Sequence, residues 1–205
     1  MRGPCGPNGD PSHCPQGPIW LMQPIPYFGE ELAGEWFWEP KVDGWRMQIL
    51  RYSDGHVELW GRRLERHPDW TNPLAAIAAS VSQFVPPGTL LDAELYTNLG
   101  RQWIPSLFAR VPKAEPQVYL FDVVCWQRQW VADLPYEERK RLLRQLTLPP
   151  GFFVLEPRPI GSLLEALQAS MAEGHEGIVI KRRGSPYEVG REAPVATVNW
   201  RKIKP

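Results

Sequence analysis

A lysine beside an Asp-Gly pair is the first residue of this sequence that could do chemistry. Lys41 is followed by Val42 and then by Asp43-Gly44, so we expect it at a corner where a strand enters a turn. Partial burial at such a corner, with other cations nearby, favours the neutral amine, which is a nucleophile. A solvated surface lysine is the alternative that this segment alone leaves open.

A run of cations near the end of the sequence is the second candidate. From Lys181 onward, seven cations face two acids, a net charge of +5, so the preceding part of this neutral chain carries −5. Trp200 and Ile203 are interleaved with these cations, and a solvated tail, which is the alternative, does not need such residues. We therefore expect a folded basic strand that faces an anion.

Composition limits the class of protein. The 205 residues fit one domain, and 43% hydrophobic with 22% charged residues are globular values, which excludes wholesale disorder. No apolar stretch is long enough to cross a membrane, and the first residues lack the apolar segment of a secretory signal. Three cysteines without framework spacing indicate reduced thiols, so we predict a cytoplasmic protein that has no membrane partner.

Strands and turns must position these residues, and the pattern predicts an α+β fold. The segment 53–56 (Ser-Asp-Gly-His) separates two alternating stretches and predicts a hairpin whose pairing places Arg46 opposite Arg63. An anion or a ribose between these arginines would relieve their repulsion, and solvated arginines are the alternative. The other predicted elements are, in chain order, a helix over 72–84, a strand over 90–96, a strand over 118–125, a helix over 135–146, a helix between Ser162 and Gly174, and strands over 178–180 and 197–203.

Residues 1–18 predict a flexible leader, because they are rich in Pro and Gly and show no apolar period. Cys5, His13 and Cys14 could supply three metal ligands, but a fourth ligand and the spacing of a zinc motif are lacking. We therefore favour no zinc site there. Residues 19–205 show no repeat and no break in composition, so we expect them to form one domain.

Lys41 also begins a longer motif that occurs in a known superfamily. Residues 41–46 (KVDGWR) resemble the Lys-x-Asp-Gly-x-Arg motif of the covalent nucleotidyltransferases, which include ATP-dependent DNA ligases, RNA ligases and mRNA-capping guanylyltransferases. Four further segments resemble motifs of that superfamily in the same order: LDAEL at 91–95, YLFDVV at 119–124, EGIVIK at 176–181 and WRKIK at 200–204. LPYEER at 134–139 and SPYEVGR at 185–191 are similar to ligase motifs and favour ligases over capping enzymes. The resemblance covers about residues 20–205.

The resemblance implies an adenylation (nucleotidyltransferase) domain over residues 19–205, with an ATP-grasp-like fold of mainly antiparallel sheets flanked by helices. It implies that Lys41 attacks ATP and holds AMP covalently, while Lys202 and Lys204 reach the α-phosphate from one face of a strand. Mg²⁺ or Mn²⁺ would bind to carboxylate oxygen of Glu176 or Glu94. The implied nucleotide-binding residues are Glu39 at the adenine edge, Arg46 and Glu94 at the ribose, Arg62 near the sugar or phosphates, Phe121 stacked on adenine, Ile178 with Ile180 as the opposing apolar wall, and Lys181 near the phosphates.

Two departures from the family pattern shape the expected function. The sequence stops at Pro205, where these ligases continue into an OB-fold domain, and Ala93 replaces a motif glycine. We therefore expect a minimal DNA ligase-like adenylyltransferase without an OB-fold domain. It would pass AMP to 5′-phosphate ends or nicks of DNA in DNA repair, with a protein partner supplying the OB-fold or an end-processing function. Two alternatives stay open: an RNA ligase or end-adenylating enzyme, and a non-catalytic scaffold that binds nucleotides or DNA ends.

Overall fold

Two β-sheets face each other in the computed structural model, which describes residues 14–205. The strands are β1 (Gln23–Pro26), β2 (Trp36–Pro40), β3 (Trp45–Arg51), β4 (Val57–Gly61), β5 (Thr89–Thr97), β6 (Pro116–Trp126), β7 (Gln129–Trp130), β8 (Phe152–Val154), β9 (Arg158–Pro159), β10 (Ile178–Arg182) and β11 (Ala196–Ile203). The helices are α1 (Ala75–Phe84), α2 (Tyr136–Leu143) and α3 (Leu163–Ala172), and shorter 3-10 helices cover Leu64–Arg66 and Arg101–Phe108.

The strand order confirms the predicted α+β fold with mainly antiparallel sheets. The five-stranded sheet has the order β1-β11-β10-β2-β9, and the six-stranded sheet has the order β4-β3-β5-β6-β7, with β8 also beside β6. Neighbouring strands are antiparallel except that β1 runs parallel to β11 and β8 runs parallel to β6. None of the helices within residues 14–205 is long and apolar enough to cross a membrane.

Alternation along the strands sorts the apolar side chains into three clusters. One covers the outer face of the six-stranded sheet, where α1 packs with Ile77 and Val81. A second lies between the sheets and includes Phe121 and Trp200. A third joins α3 to the outer face of the five-stranded sheet. The part of the inner faces that this second cluster does not cover forms the walls of a cleft.

The hairpin of β3 and β4 differs from its predicted register by one residue. Arg51 pairs with Val57, and the amide of Tyr52 donates to the carbonyl of His56, so that the turn contains the three residues 53–55, in which Gly55 adopts a φ of 90°. Glycine permits this backbone conformation without a steric penalty, so it lengthens the turn. The predicted pairing of Arg46 with Arg63 is wrong, because β4 ends at Gly61 and its register is shifted.

The N-terminal segment contains a feature that the sequence did not predict. Cys14 and Cys125 form a disulfide with their Cα atoms 5.7 Å apart, so the expectation of reduced cysteines is wrong for this pair. Their separation of 111 residues gave no framework spacing, and only the approach of the segment to β6 brings them together. Most of the predicted leader, including Cys5 and His13, lies outside the described residues.

Candidate active site

A cleft of about 670 Å³ opens between the two sheets. Ten residues that the sequence analysis named as site residues line it: Glu39, Lys41, Arg46, Arg62, Glu94, Phe121, Glu176, Lys181, Lys202 and Lys204. They lie on or next to strands of both sheets, so the site exists only when the two sheets pack together. Its volume lies in the range of small-molecule sites.

Lys41 lies directly after β2, at the corner that the sequence predicted. Its Nζ contacts Oε1 of Glu176, and Nζ of Lys204 lies 2.5 Å from the other carboxylate oxygen, Oε2. Burial raises the pKa of Glu176, but the hydrogen bonds and charges of Lys204 and Lys41 outweigh it and hold the pKa below its ordinary value. An ionised carboxylate thus bridges the candidate nucleophile and a second amine.

Backbone pairing fixes Lys41 beside Glu176. The amide of Lys41 donates to the carbonyl of Gly177 at 2.8 Å, and the amide of Glu176 donates to the carbonyl of Lys41 at 3.1 Å. Gly177 adopts a φ of 152°, and a Cβ at this position would overlap the carbonyl oxygen of Ile203. Glycine is therefore required next to Glu176 by the close approach of β11.

The C-terminal cations face the cleft from adjacent strands. Lys202 pairs with Val179, and Trp200 pairs with Lys181. Because side chains alternate, Trp200 and Lys202 share one face of β11, and Lys204 continues that face beyond the end of the strand. The basic strand is thus a wall of the cleft.

Ile178 is not part of the cleft, which corrects the predicted apolar wall. Ile178 and Ile180 are fully buried against α3 on the outer face of the five-stranded sheet. Val179 and Lys181 occupy the alternate positions of β10 and line the cleft. Side chains alternate between the two faces of a strand, so once Lys181 faces the cleft, Val179 must face it too and Ile178 must face away.

Glu94 on β5 is a carboxylate with a perturbed proton affinity. Burial raises its pKa to about 7, although the positive charges of Lys41, Arg46 and Arg62 act in the opposite direction. Glu94 therefore titrates near neutral pH at the edge of the cleft that Lys41 occupies. A protonated carboxyl can donate a hydrogen bond, and an ionised one accepts them.

Arg46 is bound within the protein by an acid that the sequence analysis did not place in the site. Its Nε and Nη2 lie 2.9 and 2.5 Å from the two carboxylate oxygens of Asp92, and Tyr187 donates to the same carboxylate at 2.6 Å. Asp92 is fully buried. This bidentate pair orients Arg46, so that its guanidinium lies 5.4 Å from the centroid of the Phe121 ring.

A buried charge cluster lies beneath the Phe121 end of the cleft. Glu39 has a relative exposure of 2%, and its two carboxylate oxygens lie 2.6 Å from Nζ of Lys140 and of Lys181 respectively. The hydroxyl of Tyr136 also donates to Glu39, at 2.5 Å. Sequence reasoning missed Lys140, because a charged residue in a helix with other charges gives no signal of burial.

A second buried ion pair lies on the same helix but away from the cleft. Arg139 donates to Asp122 at 2.7 and 3.1 Å and to the carbonyls of Leu134 and Ser185. Burial raises the pKa of Asp122, but Arg139 outweighs it and holds the pKa below its ordinary value. None of these four residues lines the cleft. Asp122 is therefore structural, although it belongs to a predicted motif.

Arginines form the mouth of the cleft. Arg62, Arg63, Arg66 and Arg101 line it, and Arg101 contacts the carboxylate of Asp43. Arg62 was expected near the sugar or phosphates and Arg63 only as the hairpin partner of Arg46, whereas Arg66 and Arg101 gave no signal in the sequence. Such a concentration of guanidinium groups suits phosphate, which they bind bidentately.

Protein side chains alone do not form a metal site in residues 14–205, where no group of three or more His, Cys, Asp or Glu residues is placed to hold an ion. Glu176 and Glu94 each line the cleft as a carboxylate. Mg²⁺ often binds through one or two carboxylates plus substrate phosphates. The donor set therefore fits an ion that arrives with a phosphate ligand.

A second, larger cleft of about 1,070 Å³ lies beside the segment that follows Cys14. Trp20, Tyr52 and Trp60 line it, and it contains none of the ten site residues that line the first cleft. No lysine of the described residues lines this larger cleft, whereas Lys41, Lys181, Lys202 and Lys204 line the first.

The sequence of this chain is similar to those of known proteins, and these identify its family. A family model described as the ATP dependent DNA ligase domain matches residues 22–204. The DNA ligase of Archaeoglobus fulgidus is 28% identical over 188 residues, which cover 84% of this chain and 32% of that protein. A probable DNA ligase of Streptomyces coelicolor is 31% identical over 183 residues, which cover 82% of this chain and 34% of that protein. The chain thus spans about a third of the length of these relatives.

Solved structures share the fold. A mycobacterial DNA ligase D complexed with ATP and MES has a TM-score of 0.66 at 23% identity, covering 90% of this chain and 60% of that one. A Chlorella virus DNA ligase-adenylate has a TM-score of 0.62 at 15% identity, covering 90% and 67%. At these identities the likeness concerns the fold alone.

Proposed function

This chain belongs to the ATP-dependent DNA ligase domain family, and from that premise we propose that it adenylates itself at Lys41 and passes the AMP to a nucleic-acid 5′-phosphate. One observation carries the proposal: the amine of Lys41 lies in a cleft with Lys202 and Lys204 and contacts the same carboxylate as Lys204. A set of amines around one nucleophilic amine suits a reaction on phosphate.

The proposed first step forms a phosphorus–nitrogen bond. After losing a proton to solvent, Nζ of Lys41 attacks the α-phosphorus of ATP. The bond from that phosphorus to the bridging oxygen breaks, pyrophosphate leaves, and the nitrogen then loses a second proton to solvent. Such a displacement depends mainly on positioning and on neutralising phosphate charge. Lys181, Lys202 and Lys204 supply the positive charge. In the second step, a 5′-phosphate oxygen attacks the same phosphorus, the phosphorus–nitrogen bond breaks, and Nζ of Lys41 takes up a proton from solvent and leaves as the amine.

The remaining residues of the cleft suit the nucleoside part of ATP. Phe121 offers an aromatic face for the base, with Val179 in place of Ile178 as the apolar residue opposite. Glu94 is the proposed partner of the ribose hydroxyl groups. Arg62 would contact the sugar or phosphates, whereas Arg46 acts by supporting the Phe121 ring, since Asp92 binds its guanidinium.

Glu176 is the proposed ligand of Mg²⁺ or Mn²⁺, and Glu94 is a second carboxylate in the same cleft. A bound divalent cation would supply positive charge to the phosphates. Because amines already contact both oxygens of Glu176, the protein itself supplies part of that charge.

The proposed acceptor is nicked DNA with a 5′-phosphate, because the relatives are named DNA ligases. Because the chain spans about a third of those relatives, the proposal covers AMP transfer and leaves strand sealing aside.

Incubation with α-labelled ATP and Mg²⁺ or Mn²⁺ tests the first step. We expect covalent label on the wild-type chain, none on Lys41→Ala, and full label on Lys113→Ala, which removes an exposed lysine as the matched control. Addition of nicked DNA, nicked RNA or single-stranded RNA should then release the label, and the fastest release identifies the acceptor. ATP that binds without ever labelling the wild type would instead indicate a non-catalytic scaffold.

A further inference from the structure

We propose that Lys140 is a positioning residue that sets the preference of the cleft for adenine, by holding Glu39, Phe121 and Leu155 in place. The inference rests on the proposed function. Lys140 lies on α2 and is not among the residues that line the cleft.

The ammonium group of Lys140 binds three residues that line the cleft. Its Nζ lies 2.6 Å from Oε1 of Glu39, donates to the carbonyl of Phe121 at 3.1 Å, and donates to the carbonyl of Leu155. Lys140 has a relative exposure of 1%, so water does not replace these partners. An ammonium group has three N–H donors, and here each has one acceptor.

These three partners belong to both sheets. Glu39 is on β2 of the five-stranded sheet, whereas Phe121 is on β6 of the six-stranded sheet and Leu155 follows β8, the neighbour of β6. Lys140 therefore ties the two walls together at the end of the cleft where Phe121 lies. Adenine and guanine are equally thick and differ at their edges, so the position of Glu39, the residue assigned to the adenine edge, decides which of the two bases is preferred.

The shared carboxylate extends this effect to a second cation. Glu39 binds Lys140 through Oε1 and Lys181 through Oε2, each at 2.6 Å. Burial lowers the pKa of Lys140, although the charge of Glu39 acts in the opposite direction. Without Lys140, Oε1 of Glu39 keeps only the hydroxyl of Tyr136 as a partner, so the carboxylate is free to shift toward Lys181.

A purely structural role for Lys140 makes a different prediction. If Lys140 only stabilised the fold, its removal would reduce the folded fraction and would lower the reaction with every nucleoside triphosphate by the same factor. A positioning role changes the ratio between nucleotides, because the ratio does not depend on the folded fraction.

The test compares ATP with GTP for Lys140→Met, with Arg139→Met as the matched control. Arg139 is the neighbouring residue of α2 and is equally buried, but none of its partners lines the cleft. For each variant, single-turnover labelling at Lys41 gives the ratio of the second-order rate constants for ATP and GTP. We expect Lys140→Met to lower this ratio by about tenfold or more, and Arg139→Met to leave it within about twofold of wild type. An unchanged ratio in Lys140→Met would overturn the proposal.

Two further measurements keep the result decisive. If Lys140→Met does not fold, Lys140→Gln, which keeps a buried hydrogen-bond donor but not the ammonium charge, replaces it and should show the same loss of ratio. Equilibrium binding of ATP and GTP to Lys41→Ala, with and without Lys140→Met, reports base preference without covalent chemistry. Wild type that is never labelled would refute the proposed function, whereas a binding ratio unchanged by Lys140→Met would refute this inference separately.

Discussion

The Nζ atom of Lys41 contacts a carboxylate oxygen of Glu176, and backbone hydrogen bonds also join the two segments in which these residues lie. The nucleophile that we propose is therefore held by a residue that follows α3, far along the chain. The same carboxylate holds Lys204. One carboxylate thus sets the positions of two amines that the proposed reaction needs.

Replacing Glu176 by Gln should slow self-adenylation by about a hundredfold, the scale of losing one preorganised charge contact. The amide keeps the shape of the side chain but no longer attracts the amines of Lys41 and Lys204. The rate of labelling at saturating ATP measures the effect. Glu173→Gln, which removes a carboxylate paired with Arg158 on the surface, is the matched control and should label at the wild-type rate. Equal rates for the two variants would contradict the role of Glu176.

The raised pKa of Glu94, about 7, predicts a pH-dependent cost in stability. Between its ordinary value of 4.5 and about 7, the folded protein retains a proton that the unfolded chain has lost, so the free energy of unfolding falls as pH rises. The loss should reach about 3 kcal/mol at most by pH 8. Urea denaturation should give a free energy of unfolding that falls between pH 4.5 and pH 8 in this way for wild type and for Glu115→Gln, an exposed control. Glu94→Gln should not show this fall. An equal fall in the free energy of unfolding for Glu94→Gln would contradict the raised pKa of Glu94.

Gly177→Ala should destabilise the fold by about 2 kcal/mol or more and should also impair labelling at Lys41. The added methyl group would overlap the carbonyl of Ile203 and would strain a backbone at φ 152°. Gly184→Ala is the control, because a Cβ there meets open space. Thermal unfolding of the three proteins provides the measurement, and equal midpoints for the two alanine variants would show that β11 does not constrain Gly177.

The disulfide between Cys14 and Cys125 should stabilise the protein by about 4 kcal/mol, because it closes a long loop in the unfolded chain. Urea denaturation with and without a thiol reductant measures this. We expect the reductant to lower the midpoint for wild type and to have no effect on Cys14→Ser. Identical wild-type curves in both conditions would mean that the two thiols are unpaired in solution.

Much of the fold could be predicted because the relevant signals are local. The side chain of Ser162 accepts a hydrogen bond from the amide of Glu165, as the capping pattern indicated, and β6 contains the apolar stretch that predicted a strand. The hairpin was found but its register was not, because the conformation of Gly55 adds a residue to the turn. The short strand β9 carries too few residues to show a period.

The sequence by itself determined the types and the order of the reactive groups: a lysine before Asp-Gly, a Glu-Gly strand and a closing strand with alternate lysines. Tertiary structure decided which neighbours these groups have. It turned Ile178 away from the cleft and Val179 toward it, paired Arg46 with Asp92, and placed Lys140 beneath Phe121. The physical reason is that residue type and spacing are properties of the chain, whereas burial and charge pairing between two sheets depend on segments that are distant in sequence and meet only when the sheets pack.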